Sequence, residues 1–424
     1  MLRKIKNFAG GQLLRDLRST VLLQVLARFF QIVAVIHAAR CLDDANGESS
    51  EALGWAQYLQ FILTLGLDIV AVRHLAAKSL ALKDVVPSIF TGRLLLYSFS
   101  ALLWLVFLFY GDFSPQQRSL WMAAILNLLA LGMNFQWIFQ GLQKMPVFSC
   151  IQAGTSFLIS AYFLAFFRPG IQAGTDLWVM GIFQGIATFL TWWYLKRAYS
   201  LSLFHSKWYQ NILKWIHEGM PNWVFGLLYN TLITIGMLTI RTFAVAPQFS
   251  NHEDAYANLY KLGMAAQFIL AFAGSVIYTR IVIWKHQRND FFPRVFLLIL
   301  MVIGSGSLVW TFLHWSYQWV YPTLFPNPIF QAGAPFLSWM IFGRFFGLAS
   351  GILVWGLLAY QKDWMVVRWS VLPVLLTVLL HFILIPKYGM TAAVFLNFGG
   401  ECLLFICCFC AFLRLRSGVK RKSA

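Results

Sequence analysis

Charge is what this chain has least of. Of its 424 residues 11% are charged and only 15 are acidic, where a soluble domain carries roughly 25% charged residues. That shortage excludes a water-facing surface of ordinary extent. The chain also lacks any low-complexity linker, and no polar stretch is long enough to fold as a separate soluble domain. Cysteine is sparse. Cys407 and Cys410 have CxxC spacing but no second pair joins them, which supports neither a disulfide framework nor a zinc site. Cys41 is expected in a loop on the outer side. Cys150, Cys402, Cys407, Cys408 and Cys410 are expected as small buried hydrophobes in apolar helices. No Walker A loop, GxSxG, HExxH or DxD-bearing soluble segment occurs, so nothing supports an ATPase, a serine hydrolase, a zinc protease or a sugar-nucleotide transferase within this chain. No metal and no cofactor are expected.

Apolar length is what the chain has most of. Hydrophobic residues make up 59% and the mean hydropathy is +0.68. Runs of about 20 apolar residues, enough to cross a hydrocarbon core, recur throughout. They predict an all-α polytopic membrane protein of about 12 transmembrane helices, at 19–38, 53–72, 90–110, 120–139, 147–166, 177–195, 222–240, 258–279, 295–314, 333–359, 369–385 and 390–412. The basic lead MLRKIKNFAGGQLLRDLRS precedes a full-length apolar run, so the first span is expected to be retained rather than cleaved. The net charge of +18 does not point to nucleic acid, because the basic residues sit in short segments between apolar runs. With the N-terminus inside, 25 of the 33 Lys and Arg fall in inner segments, 6 in outer loops, and Arg28 and Arg344 within spans. This asymmetry predicts both termini in the cytoplasm.

The segment KRAYSLSLFHSKWYQNILKWIHEGMPNW is the longest break between spans. Its Trp208, Ile212, Leu213, Trp215 and Ile216 alternate with Lys207, Lys214 and His217, as on an amphipathic helix at the membrane surface. It divides the chain into an N-terminal six-helix lobe (1–195), a cytoplasmic connector (196–220) and a C-terminal six-helix lobe (221–424).

Polar residues inside spans are costly, so their positions are informative. Gln24, Arg28 and Gln31 share one helical face, as do Gln57, Gln60, Thr64 and Asp68 in the next span. Similar stripes hold Gln136, Gln140 and Lys144; Gln152, Ser156 and Ser160; Gln184, Thr188 and Thr191; and Asn230, Thr234 and Arg241. They suggest a shared hydrated interior; interhelical hydrogen bonding is the alternative. Arg28 lies about 13 Å into its span at 1.5 Å per residue, and Arg344 is near the middle of its own. Each costs about 2.5 to 3.5 kcal/mol without compensation. Asp68 could pair with Arg28, and Glu401 with Arg344. Alternatively, Asp68 and Glu401 are titratable groups that couple transport to protons. Gly343, Gly347 and Gly351 form a ladder of small residues suited to close helix packing, and His381 reads as a hydrogen-bonded core residue.

Three stretches carry a family resemblance. AARCLDDANGESSEALGWAQYLQFILTLGLDIVAVRHLA follows the first span, NFQWIFQGLQKM closes the fourth, and ILIPKYGMTAAVFLNF joins the last two. Together they resemble the polysaccharide flippases of the multidrug/oligosaccharidyl-lipid/polysaccharide exporter superfamily, the O-antigen (Wzx-type) translocases in particular. Asp43 and Ala392 stand where that family tends to have glycine. The resemblance implies two six-helix lobes around a central cavity. It also implies a transporter rather than an enzyme, moving a polyprenyl-diphosphate-linked oligosaccharide across the bacterial cytoplasmic membrane by alternating access, in the service of lipopolysaccharide or similar polysaccharide biosynthesis. Arg28 and Arg344 would then bind the diphosphate, and Gln24, Gln31, Gln60 and Gln136 the sugars, with Asp68 and Glu401 as coupling residues. Membrane lipids, a polysaccharide polymerase and assembly proteins are the further partners implied. The alternatives are a cation-coupled drug exporter or lipid II flippase of the same superfamily, and a membrane polymerase or ligase, which would need a larger outer loop than any present.

Overall fold

In hydrocarbon every backbone N–H and C=O must be satisfied within the segment, so apolar runs of this length form helices. The computed structural model describes residues 12–42, 45–77, 80–202, 209–243, 252–286, 291–324 and 331–423, and among them secondary structure is helical throughout. In chain order the helices are α1 (Gln12–Leu42), α2 (Ala45–Thr64), α3 (Leu67–Ala76), α4 (Leu82–Tyr110), α5 (Pro115–Gly132), α6 (Gln136–Gly141), α7 (Met145–Phe166), α8 (Thr175–Tyr199), α9 (Tyr209–Phe243), α10 (His252–His286), α11 (Phe291–Leu324), α12 (Leu337–Ala359) and α13 (Asp363–Ser423). Each of the twelve expected spans falls on this series. The second comprises α2 and α3, the fourth α5 and α6, and the last two lie within α13, whose helical course is broken at Gly389 (φ 55°). Among the described residues six stretches are long and apolar enough to cross a membrane on those grounds alone, and the bent α2–α3 pair makes a seventh. The protein is a multi-pass membrane protein.

The chain forms two compact units, residues 1–223 and 224–424. In the first, α1 packs along α7, α5 along α8 and α2, and α3 against α6. In the second, α12 is the core: it packs against α10, α11 and α13, and 67% of its most apolar stretch is buried, against 22% for α11. Large apolar side chains lie exposed on α4, α11 and α13, among them Phe109, Leu308 and Leu372, as a lipid-facing surface requires.

The second span is not one helix. It bends by 55° at Leu65 and Gly66, which have φ of 48° and 67°. The stripe of Gln57, Gln60, Thr64 and Asp68 is therefore divided between two helices pointing in different directions. Gly66 is obligatory twice over. Its φ lies in the left-handed region, and a Cβ there would sit 2.4 Å from the Gly219 carbonyl oxygen and 2.9 Å from the Trp223 nitrogen. Trp223 fixes the junction by donating from its indole Nε1 to the Ile62 carbonyl at 2.9 Å.

Several cysteine expectations need correction. Cys41 is buried in the last turn of α1, not placed in a loop, and its sulfur lies 3.7 Å from His37 Nε2. Of the cysteines assigned to apolar cores, Cys408 is buried while Cys150 and Cys410 face outward. Thiols are apolar enough to line a lipid-facing surface as readily as an interior.

Candidate functional site

In the second unit the sharpest feature is a buried ion pair. Arg344 Nη1 donates to Glu401 Oε1 at 3.1 Å, and both side chains are 2% exposed. Tyr229 donates its hydroxyl to the same carboxylate oxygen at 3.4 Å. The approach depends on glycine: a Cβ on Gly347 would lie 2.5 Å from the Tyr229 hydroxyl and 2.6 Å from Glu401 Oε2. On the other side Gly263 of α10 lies against Met340 and Arg344. The expected Gly343–Gly347–Gly351 ladder is thus partly a packing device, with Gly343 against Phe398 of α13 and Gly347 opening room for a carboxylate. Arg344 Nε and Glu401 Oε2 have no hydrogen-bond partner among the described residues. The pair is held by one short contact and keeps spare donor and acceptor capacity. Nearby on the same helices, Asn397 Nδ2 donates to the Tyr256 hydroxyl at 2.5 Å. His381 is a core residue with Nδ1 2.7 Å from the Thr377 carbonyl oxygen.

In the first unit Asp68 accepts from Arg93, a residue of α4. The carboxylate that the sequence offered to Arg28 is thereby engaged by a neighbour at the start of the following span. Arg93 also reaches the Asn134 carbonyl at 3.5 Å. It therefore ties α3 to the break between α5 and α6. Gly141 completes this junction, since a Cβ there would lie 2.7 Å from Leu75 Cβ. Two of the three stretches that carried the family resemblance, GLDIVAVRHLA and NFQWIFQGLQKM, pack on each other through these contacts.

A second cluster in the first unit joins residues that no sequence pattern connects. Arg73 Nη2 donates to Glu218 Oε1 at 2.5 Å, and His74 Nε2 lies 3.1 Å from the same oxygen and 3.2 Å from Oε2. The His74 ring also rests against Trp215, with centroids 5.5 Å apart. The hydrogen bond from His74 holds the Glu218 carboxyl below its ordinary value, aided by Arg73 and opposed by partial burial. The signals were present separately, as charges ending one span and a lone acid before the next, but nothing in the sequence linked positions 145 residues apart.

Of the remaining expected site residues, Gln60 Nε2 reaches the Leu131 carbonyl at 3.5 Å, and the Gln60 backbone carbonyl accepts from the Tyr97 hydroxyl at 3.1 Å. Gln136 is half-buried, with its backbone N–H donating to Asn134 Oδ1 at 2.7 Å. Gln31 is half-buried on α1. The side chains of Gln24 and Arg28 lie outside the described residues. Several stripe residues act between or within helices: Ser160 donates to the Phe30 carbonyl at 2.5 Å and Thr188 to the Ala130 carbonyl at 3.2 Å. For these positions interhelical hydrogen bonding is the observed use. Among the described residues no group of three or more His, Cys, Asp or Glu side chains could hold a metal ion.

Solved structures define the fold class. The chain is similar to the Vibrio cholerae MATE transporter VcmN in a mutant form, at TM-score 0.73 and 12% identity over 96% of this chain and 97% of that one. An outward-facing multidrug resistance MATE family transporter of the MOP superfamily matches at TM-score 0.70 and 14% identity, over 98% of both chains. The eukaryotic MATE transporter AtDTX14 matches at 0.69 and 12%, covering 96% of this chain and 95% of its own. At these identities the likeness shows a MATE-like transporter fold of about twelve helices. The family follows from sequence: the model of the polysaccharide biosynthesis protein family, a flippase family, matches residues 13–282, and the chain belongs to it. No curated protein sequence matches the chain.

Proposed function

We propose that this protein is a flippase that moves a polyprenyl-diphosphate-linked oligosaccharide, an O-antigen repeat unit or similar, across the bacterial cytoplasmic membrane by alternating access. The observation that carries this reading is the polysaccharide biosynthesis family match over residues 13–282. Both termini are cytoplasmic in this reading, and a polymerase and its assembly proteins receive the product. Sugar hydroxyls need amide partners, for which Gln24, Gln31, Gln60 and Gln136 are suited, while Arg28 and Arg344 serve the diphosphate.

The buried pair adds a condition. Arg344 already holds Glu401 through Nη1, so it can turn its whole guanidinium to a diphosphate when the carboxylate lets go, which a protonated Glu401 would do. Substrate binding at Arg344 and coupling at Glu401 are then two halves of one exchange; Asp68, paired with Arg93, is the corresponding candidate in the first unit.

The test is purified full-length protein in liposomes carrying a lipid-linked oligosaccharide, with its exposure to an added lectin or glycosidase followed in time. Movement accelerated by the protein and lost in Arg344→Ala supports the reading. A cation-coupled drug exporter is the second reading, favoured by the multidrug fold relatives. Efflux of a cationic dye without movement of the oligosaccharide would select it. Orientation is checked with single cysteines in a background lacking the native ones: Ser114→Cys should react with an impermeant reagent on intact cells, and Ser206→Cys should not.

A further inference from the structure

At one membrane face of the second unit, the face that carries the C-terminal end of α13, cations are laid over aromatic rings. Arg414 lies 4.7 Å from the Trp369 ring, Arg416 5.7 Å from Phe296, Lys285 5.8 Å from Tyr360 and Arg294 5.5 Å from Trp284. The rings themselves interlock: Phe291 and Phe292 both contact Tyr360 and Phe412. α12 ends at this face, α13 begins there, and its last turns return to it after the break at Gly389. Ring contacts of this kind hold long, flexible cations in fixed positions.

One part of this face continues into an apolar track. Trp364, Arg368, Leu372, Leu375 and Leu379 follow one another at helical spacing on α13, and all five are exposed. The order is that of a lipid: an interfacial aromatic, a cation at headgroup depth, then leucines running about two turns into the hydrocarbon. Arg414, exposed, stacks on Trp369, the residue that follows Arg368 on this helix, so the returning end of α13 brings a second exposed cation to the start of the same track.

We propose that this face is a binding site for an anionic phospholipid, with its phosphate held between Arg368 and Arg414 and an acyl chain lying along Leu372, Leu375 and Leu379. Charge complementarity and the apolar track decide between a lipid and a free anion: a soluble phosphate would use the two arginines and gain nothing from the leucines. The site stands apart from the transport residues, and its existence does not depend on what the protein moves.

The experiment uses the full chain purified in detergent with phosphatidylglycerol and phosphatidylcholine supplied together, and lipid retained per protein measured by native mass spectrometry. Preferential retention of phosphatidylglycerol is expected. A basic side chain near the surface contributes about 1 kcal/mol towards an anionic lipid, so Arg368→Gln with Arg414→Gln should weaken retention roughly thirtyfold. Trp369→Leu keeps both charges and removes only the ring that positions Arg414, so it should weaken retention roughly fivefold or less. Lys196→Gln with Arg197→Gln removes two charges stacked on Trp192 and Trp193 of the other unit and should leave the preference unchanged. Each variant is first shown to be monodisperse. Equal loss in the Lys196/Arg197 control would reduce the effect to general surface charge and overturn the site. Undiminished retention in Arg368→Gln with Arg414→Gln would overturn it as well, and release of the lipid by an equal concentration of inorganic phosphate would reassign it to a soluble anion.

Discussion

The two units bury ion pairs of the same chemistry in opposite settings. In the second, Arg344 and Glu401 are both enclosed, and glycines on α10 and α12 frame the space they occupy. In the first, Arg93 is enclosed but the Asp68 side chain is 40% exposed, and it sits in the first turn of a short half-helix rather than mid-span. A wholly enclosed pair has no solvent to fall back on, so each partner is stable only while the other is present and charged. A half-exposed pair can be relieved by water. The enclosed pair is therefore the more sensitive switch of the two, while the half-exposed pair also serves as a joint that holds helices together.

The largest effect should come from breaking the enclosed pair on one side. Arg344→Met leaves Glu401 buried with only the Tyr229 hydroxyl donating to it among the described residues and should cost about 3 to 5 kcal/mol, read as the shift of a reversible denaturation midpoint in detergent. The double change Arg344→Met with Glu401→Met should recover nearly all of that, because two apolar side chains replace two charges of similar volume. If transport stays lost in the recovered double variant, the pair is needed for function and not merely for folding. If the double variant is as unstable as the single, the enclosed setting is not what makes the pair sensitive.

Next come the glycines that make each setting possible. At Gly66 an alanine meets backbone atoms of Gly219 and Trp223 and must adopt a left-handed conformation worth roughly 1 to 2 kcal/mol by itself. At Gly347 it meets the ends of two side chains that can retreat, so the cost should be about 1 to 3 kcal/mol. Gly66→Ala is therefore expected to be the more damaging of the two in denaturation midpoint, and Gly347→Ala the more damaging in transport, since it dislodges Glu401. The reverse ranking would mean that the first unit, not the second, houses the moving part.

What sequence could reveal follows the range of the forces involved. Span positions depend on local apolar length, and each of the twelve runs falls on a helix or a pair of helices. The Arg344–Glu401 pairing was open to inference because a mid-span charge demands an opposite one and the second half offered few candidates. The break at Leu65–Gly66 was hidden because hydropathy reads straight through it; what bends the chain is the docking of Gly66 onto Gly219, 153 positions away. Arg93 escaped notice as the partner of Asp68 because it opens its span and reads equally well as an interfacial anchor. Polar stripes were legible as stripes but not in purpose: a serine that bonds a neighbouring helix and one that lines water have the same periodicity.

Replacing Asp68 by asparagine should have a smaller effect than any of these. The amide keeps a hydrogen bond to Arg93, and Asp68 is partly exposed, so a loss of about 1 kcal/mol is expected in the same denaturation measurement. A loss matching that of Arg344→Met would erase the distinction between the two pairs.

The smallest effect should be at Glu218, where the first unit joins α3 to the start of α9 through Arg73 and His74. Its carboxyl is held below the ordinary value near 4.5, chiefly by the hydrogen bond from His74. The folded state therefore binds protons less readily than the unfolded one. The resulting stabilisation is present in full above the unfolded value and is lost as pH falls through the lower folded value. Because the group is partly exposed, Glu218→Gln should cost only a few tenths of a kcal/mol to about 1 kcal/mol near neutral pH. The difference between wild type and Glu218→Gln, measured as denaturation midpoints from about pH 7 down to about pH 3, should shrink towards zero over the acidic end. A difference that stays constant across that range would mean the carboxylate acts through shape and hydrogen-bond geometry alone. The joint between α3 and α9 would then owe its strength to the Gly66–Gly219 contact and the Trp223 indole.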